Sequence, residues 1–254
     1  MGTPHYLERP EATLAETKAS VALPYGLTAE HCVAAINDVY AYLHAVNSAA
    51  ALHGYPRLED IIQAASFSGL LSELVCRAFV HATAAATPGL VRNRYPNGRP
   101  DLVPRGSYPG DSVLHGRDGV EVKVTREETS IQGHNVESGW IMVVWIEVDV
   151  TTIPIYDRAP TVVRRIAIAE LEETDWTFSG RGATSRRTPT ASINRGGRAK
   201  LSPNAVYQRV GVPDLRQTLP RGSAAKGGAI AADAPMLPGT EVVPVEVEPA
   251  TPPD

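Results

Sequence analysis

Apolar positions recur along the chain first at helical spacing and then at strand spacing. Thr28 is suited to cap a helix in which Val33, Ile36, Tyr40 and Leu43 form one apolar stripe, and His53-Gly54-Tyr55-Pro56 breaks it. A second helical stretch covers Leu58 to Thr83, with an interruption near Ser66–Gly69. Its Leu70, Leu71, Leu74, Val75, Ala78 and Phe79 form a continuous arc, and Glu73 falls at the edge of that arc. Pro88-Gly89 stops the helix, and Tyr95-Pro96-Asn97-Gly98 reads as a turn. The pattern then changes period. Gly119–Thr125 alternates as a half-buried strand, Gly139–Val150 is apolar enough for a central strand buried on both faces, and Val162–Ala169 is a further strand before an acidic turn, Glu170–Asp175. Helices followed by strands predict an α/β (α+β) fold, a mixed β-sheet core flanked by helices.

Composition narrows the setting. A chain of 254 residues with 43% hydrophobic content has room for one large domain or two small ones, at about 100–200 residues each. Cys32 and Cys76 sit inside apolar helical patterns, which suits a reducing compartment rather than a disulfide scaffold. The start lacks a secretory h-region, and the longest apolar run, Trp140–Ile146, is too short for a bilayer, so a cytoplasmic protein without a membrane is expected. The net charge of −4 hides a local asymmetry. Thr177–Lys200 carries Arg181, Arg186, Arg187, Arg195, Arg198 and Lys200 with no acidic residue, whereas the Pro/Ala/Gly-rich end, 216–254, finishes as an acidic tail expected to be partly disordered. Residues 1–26 read as a loose N-terminal arm.

Candidate chemistry lies in Val120-Glu-Val-Lys-Val-Thr125. Strand alternation puts Glu121 and Lys123 on one face and Val120, Val122 and Val124 on the other. An exposed same-face ion pair is the simplest account of them. Upstream, Asp101 in Arg99-Pro-Asp-Leu102 offers a second carboxylate, provided that the segment from Leu102 to Gly119 folds back as a hairpin. Asp101, Glu121 and the carbonyl of Val122 would then make a hard, all-oxygen site of the kind Mg²⁺ prefers, with Lys123 beside the metal-bound water. Asp111, in Tyr108-Pro-Gly-Asp111, is a rival for the first carboxylate, and Asp118 suits a turn before Gly119.

Arg99-Pro-Asp-Leu102 followed by Gly119-Val-Glu-Val-Lys-Val-Thr125 resembles the PD-(D/E)XK nuclease superfamily, and the layout over Leu58–Ala169 resembles type II restriction endonucleases. That resemblance implies a restriction-endonuclease-like domain over 27–215, in which a helix precedes a hairpin bearing the Asp and the Glu-x-Lys. It implies Asp101 and Glu121 as ligands of Mg²⁺, with Mn²⁺ able to substitute, and Lys123 as the catalytic lysine. Glu73 matches the acidic residue that such enzymes add from the preceding helix; an i, i+4 pair with Arg77 is the alternative. Gln132 and His134 are further candidates near the cleft.

The function implied is Mg²⁺-dependent endonucleolytic hydrolysis of double-stranded DNA by a homodimer of a restriction-modification system, leaving 5′-phosphate and 3′-hydroxyl ends. The cations of 177–200 are expected to contact the DNA, Arg186 and Arg187 foremost. Two other readings compete: a repair or phage-defence nuclease that recognises DNA structure or modified bases, and a non-catalytic DNA-binding or phage structural protein.

Overall fold

The computed structural model describes residues 3–18, 20–128, 131–133, 136–179 and 190–215; the acidic tail predicted over 216–254 lies outside them. The fold is mixed α+β. Helix α1, Ala29–Leu52, starts where the Thr28 side chain accepts the His31 N–H. Helices α2, Leu58–Ile61, and α3, Ala64–Ala82, follow, so the break falls at Ile62–Gln63, ahead of the predicted Ser66–Gly69. Nine strands come next in chain order: β1 Leu90–Arg92, β2 Leu102–Pro104, β3 Val120–Thr125, β4 Gln132–Gly133, β5 Gly139–Glu147, β6 Val162–Leu171, β7 Trp176–Ser179, β8 Thr190–Ile193 and, after helix α4 (Arg195–Leu201), β9 Ala205–Gln208.

Six strands form one sheet in the order β1-β2-β3-β5-β6-β9, and β4-β8-β7 form a smaller one. All pairs in the large sheet are antiparallel except β3 with β5. A parallel pair needs a crossover, and β4 lies between β3 and β5 in the chain. The alternation within β5 shows why this strand is central. Met142, Val144 and Ile146 face α1 and α3, where Ile36, Val39, Phe67, Leu71 and Val75 are buried. Ile141, Val143 and Trp145 face the other way, onto Trp176, Ile193 and Leu201 of the small sheet and α4. The large sheet is thus the middle of three layers, apolar on both sides.

The N-terminal segment is not loose. Ala12 exchanges two bonds of 2.9 Å with the side-chain amide of Asn37, Lys18 donates its N–H to the Val206 carbonyl, and Thr17 bridges Tyr207. It covers the otherwise unpaired edge of β9, and Ala12, Val21, Leu23 and Tyr25 pack it against the core. Among the described residues, no helix is long and apolar enough to cross a membrane.

Candidate active site

The predicted hairpin forms. Leu102 pairs antiparallel with Val120, so Asp101 and Glu121 stand opposite each other where the pairing ends. Gly119 makes the approach possible. Its φ is +143°, and a Cβ there would lie 2.3 Å from both the Leu102 carbonyl oxygen and Pro100 Cγ. Gly119→Ala is therefore expected to cost about 1–3 kcal/mol in urea denaturation. A variant as stable as the wild type would show that the gap between Asp101 and Glu121 has slack.

Beyond Leu102, β3 loses its strand neighbour on that side, and the Asp101 carboxylate takes over: Oδ2 accepts the Val122 N–H at 3.0 Å. The Val122 carbonyl accepts the Ser72 hydroxyl of α3 at 3.4 Å. Oδ1 of Asp101 lies 3.5 Å from Arg92 Nη1, while Arg92 Nη2 lies 2.6 Å from Glu73 Oε1. Arg77 pairs instead with Asp38 at 3.3 Å. Glu73 is thus joined to Asp101 through Arg92, and the alternative i, i+4 pair does not form.

The register of β3 on β5 puts Glu121 opposite Ile141 and Lys123 opposite Val143, on the face turned away from α1 and α3. Lys123 Nζ donates to Glu121 Oε1 at 2.6 Å and to Glu137 Oε1 at 3.1 Å. Glu137 Oε1 also lies 3.1 Å from Arg99 Nη1, and the Glu137 carbonyl accepts the Trp176 indole N–H at 2.7 Å. Burial pushes the Glu121 carboxyl up to about 7; Lys123 opposes the shift, and Asp101 and Glu137 reinforce it. Burial alone would lower the Lys123 ammonium, but Glu121 and Glu137 hold it above its ordinary value, so it is charged at neutral pH.

Of these groups, Glu121, Glu137 and Arg99 line a cleft of about 480 Å³, together with His115, Arg117 and Glu173 among others. Compared with known proteins, the chain matches no family model, no curated protein and no solved structure. What the site can do therefore follows from its own chemistry. Among the described residues, no group of three or more His, Cys, Asp or Glu side chains could hold a metal ion by itself. A hard divalent cation needs only one or two carboxylates if carbonyl oxygens, waters and a substrate phosphate complete its shell. The donors for that exist here: the Asp101 carboxylate, the Val122 carbonyl, and Glu121, whose Oε2 is buried with no hydrogen-bond partner.

The remaining candidates divide clearly. Asp111 has φ +55° in a tight turn, and its Oδ1 accepts the Gly106 N–H at 2.7 Å, so it closes the β2–β3 connection while Asp101 is the carboxylate beside Glu121. Gln132 is exposed on β4 opposite Ser192. His134, Arg181, Arg186 and Arg187 lie outside the described residues. Arg195 is exposed at the start of α4. Arg198 donates to the Ile193 carbonyl at 2.8 Å, and Lys200 lies 2.6 Å from Asp175 and 3.7 Å from Glu172. Arg198 and Lys200 thus each meet an acceptor of the fold itself, within a segment whose described parts form β7, β8 and α4. Three site residues escaped sequence reading. Arg99 immediately precedes Pro100-Asp101, Arg92 ends β1 opposite Leu102, and Glu137 has no local signal, being a loop residue ahead of β5.

Proposed function

We propose that this chain is a Mg²⁺-dependent DNA endonuclease of the PD-(D/E)XK type. One observation carries the reading: the β2–β3 register sets Asp101 opposite Glu121, Lys123 shares the Glu121 face, and Glu121 lines a cleft edged by Arg99, His115 and Arg117. Asp101, Glu121 and the Val122 carbonyl would hold the cation, which when bound supplies an activated water and a polarised phosphoryl oxygen. Lys123 orients the attacking water and offsets the negative charge that develops on the scissile phosphate. Arg99 and Arg117 meet the flanking phosphates. The water oxygen bonds to phosphorus as the bond from phosphorus to the 3′ oxygen breaks, and that oxygen takes a proton from solvent, leaving a 3′-hydroxyl and a 5′-phosphate. A homodimer would present one such site to each strand of the duplex.

The alternative has its own support. Each charge here already has a counter-charge, Lys123 with Glu121 and Glu137, and Arg92 with Glu73 and Asp101. A purely structural ion network in a DNA-binding protein would look the same. Incubation with plasmid, genomic and phage DNA, followed by sequencing of the fragment ends, separates the two. Cleavage that requires Mg²⁺ or Mn²⁺ and leaves 5′-phosphates is expected; intact DNA with both ions would sink the nuclease reading.

A further inference from the structure

Glu137 is the least expected member of this site and one of its most constrained. Its side chain is 7% exposed. The indole of Trp176, itself packed in the core beneath the small sheet, fixes its backbone through the 2.7 Å bond to the Glu137 carbonyl. Lys123 Nζ donates to Glu137 Oε1 at 3.1 Å and lies 3.0 Å from Oε2, which accepts no hydrogen bond, and Arg99 Nη1 lies 3.1 Å from Oε1. Glu121, Glu137, Lys123 and Arg99 therefore form a charge-balanced quartet spanning the loop before β2, strand β3 and the loop before β5. A buried charge is tolerated only with such partners.

Resting on the nuclease reading above, we propose that Glu137 is a positioning residue that anchors Lys123 independently of Glu121. Lys123 has two carboxylate partners. If Glu121 serves a cation, its oxygens are drawn toward that charge and its hold on the ammonium weakens. Glu137 then keeps Nζ in place on the face it shares with Glu121. The same carboxylate holds Arg99, which is two residues from Asp101. Glu137 thereby couples the position of the lysine to that of the segment carrying the first carboxylate. A four-carbon side chain with a single tether would sample several rotamers, and misplacement by about 1 Å costs on the order of 10²-fold in rate.

The test compares Glu137→Gln, which keeps size and loses charge, with Glu137→Asp, which keeps charge and shortens the reach. Three quantities are measured on the full chain: kcat and KM for cleavage of a labelled duplex with Mn²⁺, the melting temperature, and the rate of reductive methylation of Lys123 without metal, read by mass spectrometry. Glu137→Gln is expected to lower kcat by about 10²-fold with KM within about twofold. Methylation of Lys123 is expected to rise severalfold while the melting temperature is retained, and Glu137→Asp should recover part of both. Unchanged methylation would overturn the anchoring role, whatever the cleavage data. A kcat that falls only in proportion to a lost melting temperature would reduce Glu137 to a structural ion pair. If the wild type cleaves no DNA, the nuclease reading fails on its own, while methylation still decides whether Glu137 restrains the lysine. Should Glu137→Gln not fold, Glu137→Asp carries the same three readouts, and a wild-type methylation rate in it would count against the proposal.

Discussion

Asp101→Asn and Glu121→Gln are each expected to lower Mg²⁺-dependent cleavage by about 10³-fold or more while leaving the protein folded. The size follows from removing one of two carboxylates that would hold a cation worth several kcal/mol to the transition state. Neither change should disturb the fold. An Asn at 101 can still present an oxygen to the Val122 N–H, which the Asp101 carboxylate now meets at 3.0 Å. A Gln at 121 removes a buried charge whose Oε2 has no partner, and Lys123 keeps Glu137. A second readout is independent of turnover. Binding at 100 times Kd stabilises by about 2.7 kcal/mol, so saturating Mn²⁺ should raise the wild-type melting temperature by roughly 5–10 °C for a domain of this size. Both variants should lose that rise. A Glu121→Gln protein that cleaves at the wild-type rate, or still shows the full Mn²⁺ shift, would remove Glu121 from the site.

Much of this arrangement could be read from local pattern, because the pattern and the physics that shapes it act over the same few residues. Alternation in Val120–Thr125 separates the valines from Glu121 and Lys123 whatever the partner strand is, and the structure keeps that separation. The two-sided apolarity of β5 likewise requires cover on both faces. The three-residue strands β1 and β2 are too short to show a period. They pair across the 93–101 connection, and β2 meets β3 only at Leu102, where Gly119 passes close to its carbonyl.

Glu137 was illegible for a different reason. Its role depends on the crossover that places β5 parallel to β3, and crossover geometry has no local sequence code. Lys200 shows another limit of linear pattern. A run of arginines without nearby acids looks free along the chain, yet Asp175 and Glu172 reach Lys200 from just upstream, because β7 and β8 fold back on each other. Linear charge patterning cannot register such a return of the chain.

The largest effect on stability is expected far from any motif, at Arg57. Its side chain is fully buried, and its guanidinium meets Asp60 through Nε at 2.9 Å and Nη2 at 3.2 Å. Nη1 donates to the Ala159 carbonyl at 2.9 Å and Nη2 to the Asp149 carbonyl, while the ring of Tyr6 lies 5.8 Å from the guanidinium carbon. One side chain thus fastens α2 and the N-terminal segment to both ends of the β5–β6 connection. Asp60 also receives Arg158 at 2.6 Å, so it keeps one cation if Arg57 is lost, but the two carbonyls keep nothing equivalent. Removing one member of a buried, hydrogen-bonded pair costs about 3–5 kcal/mol, because the groups left behind stay desolvated. Arg57→Ala should therefore lower the melting temperature by roughly 10–15 °C, out of a total stability on the order of 5–15 kcal/mol. Arg57→Lys should recover only part of the loss, since a single ammonium cannot reproduce the planar fork that serves a carboxylate and two carbonyls together. Urea denaturation of both variants, with Arg57→Ala/Asp60→Ala to close a double-mutant cycle, measures the coupling directly. A coupling energy below about 0.5 kcal/mol, at the level of additive sites, would mean that backbone packing rather than this guanidinium joins α2 to the sheet.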